Sequence, residues 1–355
     1  DVVGAGDVAA MAAVLSNFPG DVDDIIYILL SEIPTDLQQE LLDVYRSLGG
    51  DKTEGLDEVL KRIRWLNAQC SNFGVWGSRT PEGELYSGRN LDWSKDTGVN
   101  QFKLITVYHP PNAHAHATVG FAGITGALTG MSSQGITVHE ANLESDRDTF
   151  YGFPWTLRLR AVMERASTLA EAKDLWESTN NTCGFNHAVG SVQDKDSPFM
   201  LIETDGGHSA YFETAMDPRE VNAEGGDPRP DALFRTNHGF DPETIAHYQW
   251  NGTSADADSQ SRYALFPALF DAVEPGTYGA LEAVATVAVL GQKGADYYQC
   301  GGVGTYDDAS NVISAAFAPS PGAGTLYASW EVGTGDEWTP ACCTTFVQVD
   351  MESWW

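Results

Sequence analysis

Apolar positions along this chain follow two rhythms. In "DLQQELLDVYRSLGG" (36–50), Leu37, Leu41, Leu42 and Tyr45 recur at the spacing of one helix face, and a Gly-Gly pair ends the run. "GLDEVLKRIRWLNAQ" (55–69) repeats the pattern with Leu56, Val59, Leu60, Ile63 and Leu66. Residues 1–69 therefore read as a helical segment. After Cys70 the period drops towards two. "SNFGVWGSRTPEGELYSGRNLDW" (71–93) predicts a strand, a turn at Pro81-Glu82-Gly83 and a returning strand. Strands are expected again at 102–109, 117–123 and 135–143, followed by a helix over 156–179. "HAVGSVQD" and "PFMLIETDG" predict a hairpin, "HSAYFET" a further strand and 217–232 a polar loop. A last helix is expected near 259–272, with strands returning near 325–349. Helices and hairpins alternate without the βαβ rhythm of a doubly wound sheet. No internal repeat or low-complexity linker interrupts them.

A chain of 355 residues with 42% hydrophobic and 11% aromatic residues can bury a large core, as one large domain or two smaller ones. Fifty acidic against twenty basic residues give a net charge of −30. That argues against nucleic acid, which needs a basic face, and against electrostatic adhesion to anionic membranes. Solubility is the plainest reading of the acidity, and an acidic organelle or a salty milieu would also select it. No apolar run reaches the roughly 20 residues of a membrane span. "DDIIYILLSEIP" (23–34) is too short and reads as a core helix.

Asp1 is not followed by a basic n-region, so no signal peptide is visible, as expected for a mature secreted form. The sequons at Asn180 and Asn251 permit glycosylation in a secretory protein. The chain has five cysteines. Cys183, Cys300, Cys342 and Cys343 could form two disulfides with pairing open, which leaves Cys70 over. No CxxC pair offers a zinc site, and no metal or cofactor is expected. These features lean towards a secreted, extracellular or lysosome-like location.

Cys70 and the following "GELYSGRNLDW" resemble the start of the mature catalytic subunit in the choloylglycine-hydrolase group of N-terminal nucleophile hydrolases. The nearest branch is the acid ceramidase and N-acylethanolamine acid amidase type, and the penicillin acyltransferase type is also similar. The resemblance runs through most of 56–275. Arg89 and Asp92 match the family's Arg and Asp after the first hairpin. Asn142, ending "FAGITGALTGMSSQGITVHEANL", matches its substrate-side asparagine. Asn237 in "FRTNHG" matches its oxyanion asparagine, and Arg262 in "SQSRY" its late arginine.

The resemblance implies an α/β fold, a four-layer αββα sandwich of two antiparallel sheets between helical layers. Residues 1–69 would be the helical small subunit and 70–355 the catalytic domain, cut apart between Gln69 and Cys70. The implied activity is hydrolysis of a linear amide through a Cys70 thioester, on small-molecule or lipid-like N-acyl substrates. Ile25, Ile26, Ile28 and Leu29 would then line an acyl groove or touch a membrane transiently, although ordinary core packing explains them more simply.

The chemistry stands without the family. A free cysteine has a pKa near 8.5 and an α-amino group about 7.7–8.0. An N-terminal Cys70 could therefore pass its thiol proton to its own amine. Arg89 would favour the thiolate, Asp92 would hold the amine, and Asn237 would donate an N–H to the oxyanion. Arg262 reads as a structural or substrate-side charge. Taken singly, each has a plain alternative: a buried thiol or interchain disulfide, a hairpin ion pair, a turn residue, a strand end, a solvated helix face.

A rival from another class is an uncut family member without turnover, kept as a structural subunit of a homo-oligomer or larger assembly. Ala68 and Gln69 offer no nucleophile, so any self-cleavage must come from Cys70. Weaker signals point elsewhere. "GAGDVA" (4–9) lacks a preceding strand, and "HAH" (114–116) reads as a polar loop. His139-Glu140 lacks the second histidine of HExxH, and "ADADSQ" (255–260) lacks the glycine and glutamate of a calcium loop. No Gly-x-Ser-x-Gly elbow occurs.

Overall fold

The strand predicted after the helical pattern begins two residues early, at Gln69. The computed structural model describes residues 69–93, 101–149, 151–294, 300, 310–333 and 337–355. The chain divides into two units, 1–67 and 68–355, and the second holds all described residues. The helical patterns over 36–50 and 55–68, the apolar run 23–34, "GAGDVA", and the groove candidates Ile25, Ile26, Ile28 and Leu29 lie outside the described residues.

The second unit is built on two antiparallel sheets. The first has the order β10-β1-β2-β11-β12-β13. Its strands are β1 (Gln69–Gly77), β2 (Gly83–Trp93), β10 (Ala232–Arg235), β11 (Ser310–Ser320), β12 (Ala323–Trp330) and β13 (Val347–Asp350). The second sheet runs in chain order from β3 to β9. It comprises β3 (Lys103–Tyr108), β4 (His116–Phe121), β5 (Thr129–Ser132), β6 (Ile136–Asn142), β7 (Phe185–Ser191), β8 (Phe199–Asp205) and β9 (His208–Phe212). The β1–β2 turn is the expected one, with Glu82 and Gly83 at φ 55° and 77°. A left-handed pair closes such a hairpin tightly.

Helices cover both outer faces. On the second sheet lie α1 (Trp155–Arg165) and α2 (Leu169–Glu177), packing Leu159, Val162, Met163, Ala172 and Trp176 against Ile136, Val138, Val189, Met200 and Ile202. The single helix expected over 156–179 is broken because Ala166 is extended and Thr168 caps the second helix, its side chain accepting from Glu171 N. The expected polar loop 217–232 holds the short α3 (Pro218–Val221), and α4 (Pro242–Ala246) follows β10.

The helix expected at 259–272 is also two, α5 (Ser254–Tyr263) and α6 (Leu265–Asp271). With α7 (Ala280–Gly294) they cover the first sheet, where Phe73, Phe234, Tyr263, Phe266, Phe270 and Val287 share one core cluster. The layer order is helix, sheet, sheet, helix. The two sheets meet through polar as well as apolar contacts. Ser87 Oγ lies 2.9 Å from His139 Nε2, and Asn72 Nδ2 donates to Asn186 O at 3.2 Å. Close approach is also permitted by Gly74, where a Cβ would stand 2.4 Å from the Phe199 ring.

Candidate active site

Cys70 is the second residue of β1 and fully buried. The pairing Cys70↔Leu91 and Asn72↔Arg89 puts Cys70 and Arg89 on the same face of the first sheet. Arg89 Nη2 donates to Cys70 Sγ at 3.3 Å. The same guanidinium is held by Glu140 of β6, through its carboxylate and through its backbone oxygen at 3.2 Å from Arg89 Nε. Burial pulls Arg89 towards its neutral form, but Glu140, Cys70 and Asp92 together outweigh this and keep it a cation.

The backbone on either side of the Cys70 nitrogen is gripped from the other flank. Cys70 N donates to Asn237 Oδ1 at 2.8 Å. Arg262, on α5, donates to Cys70 O, to Gln69 Oε1 at 2.9 Å and to Asn237 Oδ1 at 2.8 Å. Its Nε is steadied by Asp258 one turn earlier, at 2.8 Å. Asn237 follows β10 in a loop that cannot drift. Ser259 Oγ accepts its backbone N–H at 2.7 Å, and Asn186 Nδ2 donates to Thr236 O and His238 O at 2.7 and 2.8 Å. Glu203 accepts from Phe240 N, Asp241 N and Arg235, which fixes the far side of the loop.

Two expectations are altered by this geometry. Asn237 faces the Cys70 nitrogen with its oxygen, while its Nδ2 donates to Asn142 O at 2.7 Å. The amide is oriented by the two donors converging on it, Cys70 N–H and Arg262. Asn142 thus meets Asn237 through its backbone, and its side chain donates to Glu144 at 2.9 Å. Asp92 pairs in register with Gln69, beside the Gln69–Cys70 bond, and acts on the thiol through its charge. Its Oδ1 accepts from Asn311 Nδ2 at 2.9 Å, and its buried Oδ2 has no hydrogen-bond partner among the described residues. Burial pushes Asp92 up to about 7, against the pull of Arg262 and the Asn311 hydrogen bond.

Burial also pushes the Cys70 thiol up to about 12, with Glu140 raising it, Arg89 opposing and Asp92 raising it further. Burial and the Glu140 charge thus favour the protonated thiol over the thiolate. His139 is no alternative base. It is buried between Ser87 Oγ and Thr129 Oγ1, at 2.9 and 2.7 Å, and burial pushes it down to about 3.

The structure therefore brings together Cys70, Arg89, Asn237, Arg262, Gln69 and the backbone of Asn142, and places Asp92 on the neighbouring strand. Glu140, Asp258, Ser259, Asn186 and Asn311 were not among the expected site residues. For Glu140 a signal existed: an acid inside the apolar strand "ITVHEAN" must find a cation when buried.

The sequon residues Asn180 and Asn251 are both exposed. The cysteines correct the expectation of two bridges. Cys300 is bonded to Cys343, whereas Cys342 is a buried thiol and Cys183 takes no part in the bridge. Cys183 precedes β7 in the other sheet, with its Sγ 3.4 Å from Thr182 Oγ1. Among the described residues, no helix is long and apolar enough to cross a membrane.

A profile described as "Acyl-coenzyme A:6-aminopenicillanic acid acyl-transferase" matches residues 78–284. The match begins downstream of Cys70 and includes Arg89, Asp92, Asn142, Asn237 and Arg262. Protein dcd1B of Dictyostelium discoideum is 26% identical over 143 residues, covering 39% of this chain and 29% of that protein. Protein dcd1A of the same organism is 29% identical over 153 residues, covering 39% of this chain and 33% of that protein. The matched segments thus span about a third of these curated relatives. Among solved structures, the Caenorhabditis elegans N-acylethanolamine-hydrolyzing acid amidase ortholog superposes with a TM-score of 0.46 at 14% identity, over 70% of this chain and 92% of that one.

Proposed function

The chain belongs to the acyl-coenzyme A:6-aminopenicillanic acid acyl-transferase family, in the N-terminal nucleophile hydrolase group, and on that premise we propose that it is a self-processing cysteine amidase. The observation that carries the reading is the double grip on Cys70. Arg89 donates to its sulfur while Asn237 and Arg262 fix its nitrogen and carbonyl. In the first event, Cys70 Sγ attacks the Gln69 carbonyl carbon. A C–S bond forms, the C–N bond breaks, and the thiol proton ends on the Cys70 nitrogen. Water then opens the thioester, releasing the Gln69 carboxylate and restoring the thiol.

The freed α-amine has a pKa about 7.7–8.0 in an open chain and becomes the base that the uncut site lacks. It would sit where Asn237 Oδ1 already accepts a hydrogen bond from that nitrogen, with the Asp92 carboxyl on the strand alongside. In turnover, the same thiol takes the acyl group of an external linear amide, and the amine of Cys70 passes the proton to the leaving nitrogen. A lipid-like N-acyl chain is the substrate class, small molecules of the same bond type being the simplest probes. An extracytoplasmic setting, secreted or lysosome-like, suits the exposed sequons and the disulfide.

Intact-mass measurement before and after incubation at mildly acidic pH tests the first event, and a panel of N-acyl amides of graded chain length tests the second. Cys70→Ala should abolish both. A mass that stays whole at every pH with no amide cleaved would leave an uncut structural or assembly subunit as the function.

A further inference from the structure

Cys300 and Cys343 are joined by a disulfide that ties an exposed residue to the 3-10 turn Ala341–Cys343. The residue between, Cys342, keeps its thiol. Its Sγ lies 3.8 Å from Cys343 Sγ, and all three sulfur atoms lie within 4.8 Å of one another. A thiol held against a disulfide is the arrangement from which exchange proceeds, since the attacking sulfur needs only to reach one of the bonded pair.

We propose that Cys300, Cys342 and Cys343 form a thiol–disulfide exchange site in which Cys300 changes partner between Cys343 and Cys342. Cys342 gives its proton to solvent and its sulfur bonds to Cys300 Sγ. The Cys300–Cys343 bond breaks, its electron pair leaves with Cys343 Sγ, and that sulfur takes up a proton. One thiol and one disulfide are present before and after, so no oxidant or reductant is consumed. Attack on Cys343 instead would bridge sequence neighbours, whose Cα atoms are about 3.8 Å apart, shorter than the usual disulfide span of about 4.4–6.8 Å. Cys300 is therefore the sulfur that changes hands. It is also the exposed member of the three, the one a small thiol from solvent meets first.

The turn's position ties this site to Asp92. Cys342 N donates to Asn311 Oδ1 at 2.8 Å, and Asn311 Nδ2 donates to Asp92 Oδ1 at 2.9 Å. Gly291 of α7 packs so close that a Cβ there would stand 2.6 Å from Cys342 Cβ and 2.9 Å from Asn311 Oδ1. Drawing Cys342 towards Cys300 pulls on this chain of contacts. Burial, followed by the charge of Asp92, raises the Cys342 thiol well above its ordinary range. Exchange thus waits on local opening of the turn and runs slowly at rest.

The test uses the full purified chain, in mildly alkaline buffer with a trace of reduced glutathione. Samples are quenched in acid at intervals, alkylated and digested without reduction. Fragmentation of the peptide carrying Ala341–Cys343 reads which of its two cysteines was free. The expected result is alkyl label on Cys342 at the start, shifting in part to Cys343, with Cys300 linked throughout. The variant Cys343→Ser, held in oxidised glutathione, should form a Cys300–Cys342 bridge, with the oxidised glutathione taking up the two electrons and two protons. Label confined to Cys342 at every interval, or Cys300 found unlinked, overturns the proposal, and the wild-type readout decides if the variant fails to fold.

Discussion

Cys70 donates its backbone N–H to the side-chain oxygen of Asn237, 2.8 Å away and 167 residues later in the chain. The nitrogen that processing would turn into a free amine is thus already held in place. Asn237→Ala is expected to slow both self-cleavage and amide turnover by about 100-fold, the scale of a misplacement at the reacting centre, because the Cys70 nitrogen loses the acceptor that aligns it. Asn237→Asp keeps an acceptor for the Cys70 nitrogen but loses the donor to Asn142 O. It should spare orientation and lose rate, a split visible as a lowered kcat with KM nearly unchanged. Intact mass follows the first event and amide kinetics the second.

Cys70→Ser should leave slow cleavage where Cys70→Ala leaves none, because a hydroxyl attacks the Gln69 carbonyl but is the poorer nucleophile at neutral pH. Mass spectra over days would separate the two. Equal cleavage in both variants would point to an outside protease.

Glu140→Gln strands the Arg89 guanidinium in the interior between the sheets, since the two form a fully buried ion pair. Removing one partner of such a pair typically destabilises by about 3–5 kcal/mol. Chemical denaturation should show that loss. The double variant Glu140→Leu with Arg89→Met should recover most of the stability while staying inactive, which separates structural support from the contact of Arg89 with Cys70.

Asp92 gives a pH signature of definite sign. Its folded pKa, about 7, lies above its ordinary value of 3.8. Between these values the unfolded chain is ionised at this residue while the folded chain still binds the proton. The contribution is therefore fully present below about pH 4 and lost as pH rises through about 7, on the order of 4 kcal/mol in all. Asp92→Asn should flatten that part of the stability profile, measured by denaturation at about pH 5 and about pH 8. A variant whose profile tracks the wild type would assign the slope elsewhere.

Gly74→Ala should destabilise by about 1–3 kcal/mol, because its new Cβ meets the ring of Phe199 at 2.4 Å. Trimming the ring with Phe199→Leu should return part of the loss if the clash is the cause.

The β1–β2 hairpin was legible because its period is two and its turn carries Glu82-Gly83; six strands of the second sheet were legible as short runs bounded by turns, but β5, four residues long, was not. The break between α1 and α2 was not, although Ser167-Thr168 marks a cap, since the apolar spacing continues across it. α7 was missed because "ALEAVATVAVLG" is apolar nearly all round and rich in β-branched residues. β11 was missed because "SNVISAAFAPS" is small-residue and polar, which only its central place between β2 and β12 makes sense of. In the site, Cys70, Arg89, Asn237 and Arg262 were found through the family resemblance, as matches in the family's order. Glu140 and Asn311 did not, because a buried polar residue declares its role only through the partner that folding brings to it.

The topology of the first sheet has a consequence for when this chemistry can begin. β1 and β2 are made early, but they are flanked in the finished sheet by β10 and β11, and Arg262 reaches Cys70 across 192 residues. The second sheet closes from neighbour to neighbour as it is synthesised. A chain that has emerged only through β9 already carries the nucleophile, yet lacks Asn237, Arg262 and the strand that bears Asn311. On the self-processing reading, cleavage at Gln69–Cys70 would therefore wait for the completed chain, with translation itself as the safety catch. Nascent chains arrested before residue 237 should stay uncut, however long they are held.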